Sequence, residues 1–470
     1  MSNSKLLINH MKKFTTFEWL LFIKILENKS EKELEKLEKD KLHLNMLQNS
    51  NWYLLILDLS IRISDDKNRK VSLDNLPTIY DYYNFVKLYI NSNDVDKGNN
   101  FSKDLDYSLH LAMLKMTYEQ FKMYAHISNS LGRLIKLYGS IENKVKEVFG
   151  LSPNQIAIFY MLNNVKHDIY VPFSFKEMFE LLNSWDNSIT EENLKKFFTI
   201  FSITVEEYRL KLKALGITKT KIKSKRLISH MPILDLTNGY YFIPSKFVLN
   251  EALSYKIFEV IDGIQEGSET FKRNFGSTFE NYIRELTYTS HVNCFYECHN
   301  LIKDEMEQKK AEFFLSEGDT SIVIESKLLH IDEDILLHGS AKQLDRKMDK
   351  RIKDALSQIE SCFNYLKTKY KYGIIVIHTH MPMIDSLLSE LKATLNSENK
   401  ANIILVSIID FEVMIHNPYE KIIEYFQKKN DDKSVALFFE QENSHLQKAS
   451  VDLLKTVKDN LTLSKDLIYE

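Results

Sequence analysis

From the N-terminus to about residue 225, hydrophobic and polar positions read as helix after helix, with no repeat of fixed period. Several starts are written into the residues. Ser152-Pro153 sets a capping residue before a proline suited to the first helical position. Ser174-Phe175-Lys176-Glu177 and Thr204-Val205-Glu206-Glu207 each fit a capping box. A long helical pattern over 105–148 is expected to break near Gly139. Short helices between Pro153 and Gly216 suit a winged or helix-turn-helix-like bundle but show no recognition-helix signature. A helical scaffold or sensor is the better reading of this half.

The pattern shifts at Arg209. Between Arg209 and His230 stand eight basic residues and no acidic one: Arg209, Lys211, Lys213, Lys219, Lys221, Lys223, Lys225 and Arg226. Such a run is either a solvated linker or a strip that contacts phosphates, and both readings stay open here. Two apolar runs then flank Thr237-Asn238-Gly239, which predicts a β-hairpin bridging the two halves. Beyond Phe271 helices alternate with strands. A helix is expected from Ser277, strands over 294–298, 311–315 and 321–327, and a long helix over 341–367. A strand over 372–378, a helix from Asp385, a strand over 403–409 and helical additions after 431 complete the set. The divisions are therefore 1–225 helical, 226–262 hairpin and connecting helix, 263–430 α/β, and 431–470 a helical extension.

Composition narrows this picture. Only 12 glycines and 7 prolines among 470 residues disfavour an all-β chain. A net charge of −3 means that any nucleic-acid surface is a local patch. Three cysteines make no disulfide framework and point to a reducing compartment. With no signal peptide or apolar span, the chain reads as cytoplasmic, with no membrane partner. Cys294 and Cys298 lack the further ligands a zinc site needs. His378-Thr379-His380 is expected near the edge of the sheet. Neither a Walker loop nor a Rossmann fingerprint is present.

The chemistry lies in one hairpin, Lys310-Ala311-Glu312-Phe313-Phe314-Leu315 followed by Ser321-Ile322-Val323-Ile324-Glu325-Ser326-Lys327. Strand alternation puts Glu325 and Lys327 on one face and Ser326 on the other. Glu325 follows three β-branched apolar residues, so its charge is expected in a buried strand, where it needs a partner or a metal. Glu312, in the preceding strand, brings a second carboxylate to the same end. Two acids and a lysine suit metal-assisted phosphodiester hydrolysis, with Mg²⁺ or Mn²⁺ held by the acids.

This arrangement resembles the PD-(D/E)xK nuclease superfamily over about 271–415, with Glu325-Ser326-Lys327 as the (D/E)xK element and Glu312 in the place of the first acid. The family has aspartate there, often after proline, where this chain has Ala311-Glu312. The resemblance implies a restriction-endonuclease-like α/β domain, a mixed sheet flanked by helices; it does not cover the mostly α-helical N-terminal region, which is read from the residue pattern alone. It implies a metal role for Glu280 in Gly276-Ser277-Thr278-Phe279-Glu280, although Ser277 and Glu280 also fit a capping box. On the long helix, Lys347, Arg351, Gln358 and Tyr365 flank the core stripe. Gln358 resembles the glutamine that reaches the active site in several branches of the family, and Tyr365 stands three residues beyond the usual tyrosine position.

The expectation is thus a metal-dependent nuclease acting on DNA. Glu280, Glu312 and Glu325 would be its metal ligands, Lys327 and Gln358 would complete the catalytic set, and Lys219, Lys221, Lys223, Lys225, Arg226 and Arg351 would contact nucleic acid. A nuclease fused to a large helical region resembles effectors of bacterial anti-phage defence, which implies an N-terminal region that senses, targets or restrains the nuclease, a phage or host protein being one candidate partner. Homo-oligomerisation stays open. Two alternatives stay beside it: an RNA-cleaving effector with the same core, tRNA being one candidate substrate, and a non-catalytic binding protein on the same fold.

Overall fold

Hydroxyl side chains start several helices of the N-terminal half. The computed structural model of the protein describes residues 3–29, 31–38, 50–64, 66, 70–92, 127–165, 172–215, 227–264, 269–300, 310–329, 341–378 and 402–431. Its first helices are α1 (Asn3–Met11), α2 (Thr16–Glu27), α3 (Glu31–Leu37), α4 (Ser50–Ile63) and α5 (Ile79–Ser92). They are followed by α6 (Ile127–Lys136), α7 (Glu142–Phe149), α8 (Pro153–Val165), α9 (Phe175–Trp185), α10 (Glu191–Phe201), α11 (Val205–Ala214) and α12 (Lys246–Ile264). Thr15, Ser174 and Thr204 cap α2, α9 and α11, and Glu18, Glu177 and Glu207 return a carboxylate to each cap's own N–H. Two donors that a helix start would leave open are satisfied each time. Between α6 and α7 a single 3-10 turn, Gly139–Ile141, makes the expected break, and residues 105–126 lie outside the described set.

The described residues fall into two compact units, one ending at Phe258 and the other beginning at Glu259. The first unit buries Trp19, Leu57, Tyr82, Phe85, Tyr208 and Phe242 in one core. It also holds a sheet of order β1-β4-β3-β2, built from β1 (Phe173–Ser174), β2 (Ser202–Thr204), β3 (Ile233–Asp235) and β4 (Tyr240–Phe242). The hairpin expected to bridge the halves is therefore part of this sheet, β4 pairing with β1 and β3 with β2. Its turn has positive φ at Thr237 (70°), Asn238 (54°) and Gly239 (79°), a conformation that asparagine and glycine accept most readily.

The second unit is a mixed α/β layer structure. Its strands β5 (Phe295–Glu297), β6 (Phe313–Glu317), β7 (Thr320–Lys327), β8 (Tyr370–Ile377) and β9 (Ile403–Ser407) lie in sequence order. The pairs β5/β6 and β6/β7 are antiparallel, whereas β7/β8 and β8/β9 are parallel. Helices α13 (Glu269–Ser290), α14 (Ala341–Tyr365), α15 (Ile408–Met414) and α16 (Tyr419–Asp431) belong to the same unit. Residues Ile352, Ala355, Ile359 and Phe363 of α14 share a core with Val323, Ile375, Ile377 and Leu405. At Gly373 a Cβ would stand 2.8 Å from the Ile359 side chain, so this close packing needs a glycine.

Three local expectations are corrected. Helix α13 begins at Glu269 rather than Ser277, because Phe271, Phe275, Phe279 and Ile283 continue one buried stripe through Gly276-Ser277. Strand β6 begins at Phe313, which leaves Glu312 in a bend just ahead of it. Strand β8 is interior, paired on both sides, so His378 is not at the sheet edge. The predicted helix from Asp385 and the additions after 431 lie outside the described residues. Among those described, no helix is long and apolar enough to cross a membrane.

Candidate active site

Strand β7 carries Glu325 into the interior because the strand is paired on both sides, through Ile324↔Phe313 on β6 and Lys327↔Ile377 on β8. Ile322, Val323 and Ile324 are fully buried, and Glu325 itself is 1% exposed. Alternation puts Glu325 and Lys327 on the face of Val323, toward the core shared with α14. The Lys327 ammonium donates to Glu325 Oε1. The other oxygen, Oε2, is buried with no hydrogen-bond partner. Burial pushes the Glu325 carboxyl up to about 7, against the opposing pull of Lys327 and, more weakly, of the Glu312 backbone N–H. A buried carboxylate oxygen with no donor is costly to keep.

Continuing the β6–β7 register by one step sets Glu312 opposite Glu325. Its side chain, however, is held by Ser326, whose Oγ lies 3.1 Å from Oε1 and 3.0 Å from Oε2. Burial first, then the charges of Glu325 and Glu280, push the Glu312 carboxyl up to about 9. The Glu280 charge also raises Glu325, so three carboxylates share one field. Because α13 starts at Glu269, Ser277 is inside the helix and the capping-box reading of Glu280 falls away. Glu280 instead pairs with Arg284 at 3.2 Å, and Arg284 reaches Glu297 at 3.3 Å. As these side chains stand, no three His, Cys, Asp or Glu among the described residues form a metal-holding group. Each acid already has a different partner: Lys327, Ser326 or Arg284.

The remaining candidates are dispersed. Gln358 donates to the Lys310 carbonyl at 2.8 Å and so fixes the chain just before Glu312. Arg351 is exposed and donates to the Leu328 carbonyl, beside Lys327 in the chain. Tyr365 ends α14 and is partly buried; the side chain of Lys347 lies outside the described set. His378 is buried edge-on between Phe275 and Phe279, with ring centroids at 5.4 Å, which suits packing. Cys294, Cys298 and Cys362 are free and buried.

Of the basic strip, Lys219, Lys221, Lys223, Lys225 and Arg226 lie outside the described residues. Arg209 is corrected: it donates to the Ile61 and Ser64 carbonyls and pairs with Asp66 at 2.8 Å, so it braces the first unit. Ser326 and Arg284 are the site residues that sequence reasoning missed. Arg284 follows Glu280 at the i,i+4 spacing of a helical ion pair, a signal present in the residues. Ser326 left no such signal, because alternation assigns it to the opposite face.

Compared with protein-family models, with curated proteins and with solved structures, the chain matches none. The site's chemistry must therefore be judged on its own donor set. Buried, unpaired lone pairs on Glu325 Oε2, with two further carboxylates in the same field, fit a hard divalent cation such as Mg²⁺ or Mn²⁺, which takes oxygen ligands.

Proposed function

We propose that the second unit is a metal-dependent phosphodiesterase acting on nucleic acid, DNA being the first substrate to test. One observation carries the reading: Glu325 is buried beside Lys327 with one carboxylate oxygen left without a donor. Such an arrangement is costly in an empty core and useful where a cation is bound. Glu325 and Glu312 would hold the ion, with Glu280 turning from Arg284 to complete the set. When bound, the ion would supply charge stabilisation to a phosphoryl oxygen and activate a water. Lys327 would hold its ammonium against the attacked phosphate and offset the charge that develops there. Gln358, through the Lys310 carbonyl, keeps the Glu312 segment in place. The order of helix α13, antiparallel strands β5 to β7, helix α14 and parallel strand β8 supports the restriction-endonuclease-like reading. A role in anti-phage defence, with the first unit as sensor, extends the same proposal.

A second reading, a non-catalytic binding protein, draws on the engagement of Glu312 by Ser326 and of Glu280 by Arg284. One incubation separates the two. The full chain is mixed with plasmid, single-stranded DNA and bulk RNA in Mg²⁺, Mn²⁺ and EDTA lanes, beside Glu325→Ala. Cleavage that needs metal and Glu325 supports the nuclease, and the substrate cut separates DNA from RNA. Intact substrate in every lane supports the binding protein.

A further inference from the structure

We propose that Ser326 is a positioning residue for the metal centre: its hydroxyl tethers Glu312 and fixes the direction in which that carboxylate meets an ion. The proposal rests on the nuclease reading of the same site. Ser326 lies between Glu325 and Lys327 and is 6% exposed. Its own strand face is otherwise apolar, with Ile322 and Ile324 fully buried. A hydroxyl there without a partner would be unfavourable, and the Glu312 carboxylate is its partner, with both oxygens near 3 Å.

The chemistry of the tether explains why it suits a ligand. A serine hydroxyl has one proton, so it restrains the carboxylate while leaving most of its lone pairs open to a cation. Glutamate has one more rotatable bond than aspartate, and that freedom must be lost when an ion is bound. A hydrogen bond from the adjoining strand removes part of it beforehand. Glu312 stands ahead of β6 in a bend, where its backbone carbonyl accepts from the Cys298 N–H at 3.2 Å but the ladder does not direct its side chain. Gln358 secures the preceding backbone through the Lys310 carbonyl, and Ser326 secures the side chain. Groups that orient a metal ligand without touching the metal typically change metal affinity by about 10–100-fold.

The test measures Mn²⁺ binding to the full chain by titration calorimetry and by the electron-paramagnetic-resonance signal of free Mn²⁺. Wild type is compared with Ser326→Ala, Ser326→Thr, Ser326→Val and Glu325→Gln. Ser326→Ala is expected to weaken Mn²⁺ binding by about 10–100-fold, with Ser326→Thr returning to within about 3-fold of wild type. Ser326→Val has the shape of threonine without its hydroxyl, so it should behave like alanine and serves where alanine disturbs folding. Plasmid cleavage by Ser326→Ala should recover at saturating Mn²⁺. Wild-type affinity in both Ser326→Ala and Ser326→Val, while Glu325→Gln abolishes binding, overturns the tether and leaves the nuclease reading intact. Equal losses in the threonine and valine variants also overturn it. If the wild type binds no Mn²⁺, the tether and the nuclease reading fall together.

Discussion

Asp58 in the first unit and Glu325 in the second are both buried carboxylates, 2% and 1% exposed. Asp58 is fully partnered. Arg62 donates to one oxygen at 3.0 Å, the Tyr208 hydroxyl donates to the other, and Tyr208 accepts from the Ile228 N–H at 3.2 Å. That network ties α4, α11 and the segment after it into one core. Glu325 has Lys327 on one oxygen and no hydrogen-bond partner on the other, with the Glu280 charge raising its pKa and the nearby Glu312 N–H opposing that rise. The contrast separates two uses of a buried charge. A charge whose acceptors are all filled by its own chain holds the fold together. A charge left half-filled among its like is held for something the chain does not supply.

The sharpest way to break the comparison is at the half-filled site. Glu325→Ala and Lys327→Ala are each expected to lower cleavage by more than about 10²-fold, with the circular-dichroism spectrum unchanged. Retained cleavage in both would remove Glu325 from the chemistry. The reciprocal test is on stability. Asp58→Ala leaves Arg62 and Tyr208 facing an empty place, so urea unfolding should show a loss of about 3–5 kcal/mol. Glu325→Gln should be neutral or stabilising in metal-free buffer, because it removes a desolvated charge. If both substitutions cost the same, the two carboxylates are alike and the distinction fails.

A third test uses pH. Glu27 is buried in the first unit, where Ser245 Oγ donates to one oxygen and the Lys246 N–H to the other, yet burial still pushes it up from 4.5 to about 7. The folded state therefore keeps a proton that the unfolded chain has released. Stability through Glu27 should fall as pH rises from about 4.5 to about 7 and level off above that. Glu27→Gln should flatten this slope in urea titrations across the window; an unchanged slope would assign it elsewhere. The smallest effect is expected from the basic strip. Changing Lys219, Lys221, Lys223 and Lys225 to glutamine should make the log–log salt dependence of DNA binding shallower, by up to about 0.9 for each phosphate no longer neutralised. Binding with the wild-type slope would make the strip a solvated linker.

What could be read beforehand was local. The capping pairs Ser174–Glu177 and Thr204–Glu207, the Asn238-Gly239 turn and the apolar run into Glu325 each act within a few residues, and the structure has them in place. Misreadings arose where distant packing overrides a local sign. Gly276-Ser277 looks like a helix start, but Phe271 and Phe275 are buried and draw the helix back to Glu269. Strands as short as Phe173–Ser174 and Ser202–Thr204 have no period to read, so the sheet that takes up the hairpin was invisible. In the site, alternation put Glu325 and Lys327 on one face correctly. It could not show that Glu312 precedes its strand and turns to Ser326, because that depends on where β6 begins.

The two sides of β7 also differ in when they can form. Toward β6 it pairs across a tight turn, Glu317↔Thr320, whereas toward β8 its acid waits for a partner far along the chain, Glu325↔Ile375. Close pairs close quickly, and parallel pairs across a helical crossover are slow. During synthesis the three acids and Lys327 emerge before α14 and β8 exist to cover them. A ribosome-bound chain that ends short of Ile377 therefore carries every charged group of the centre and lacks the sheet that buries Glu325.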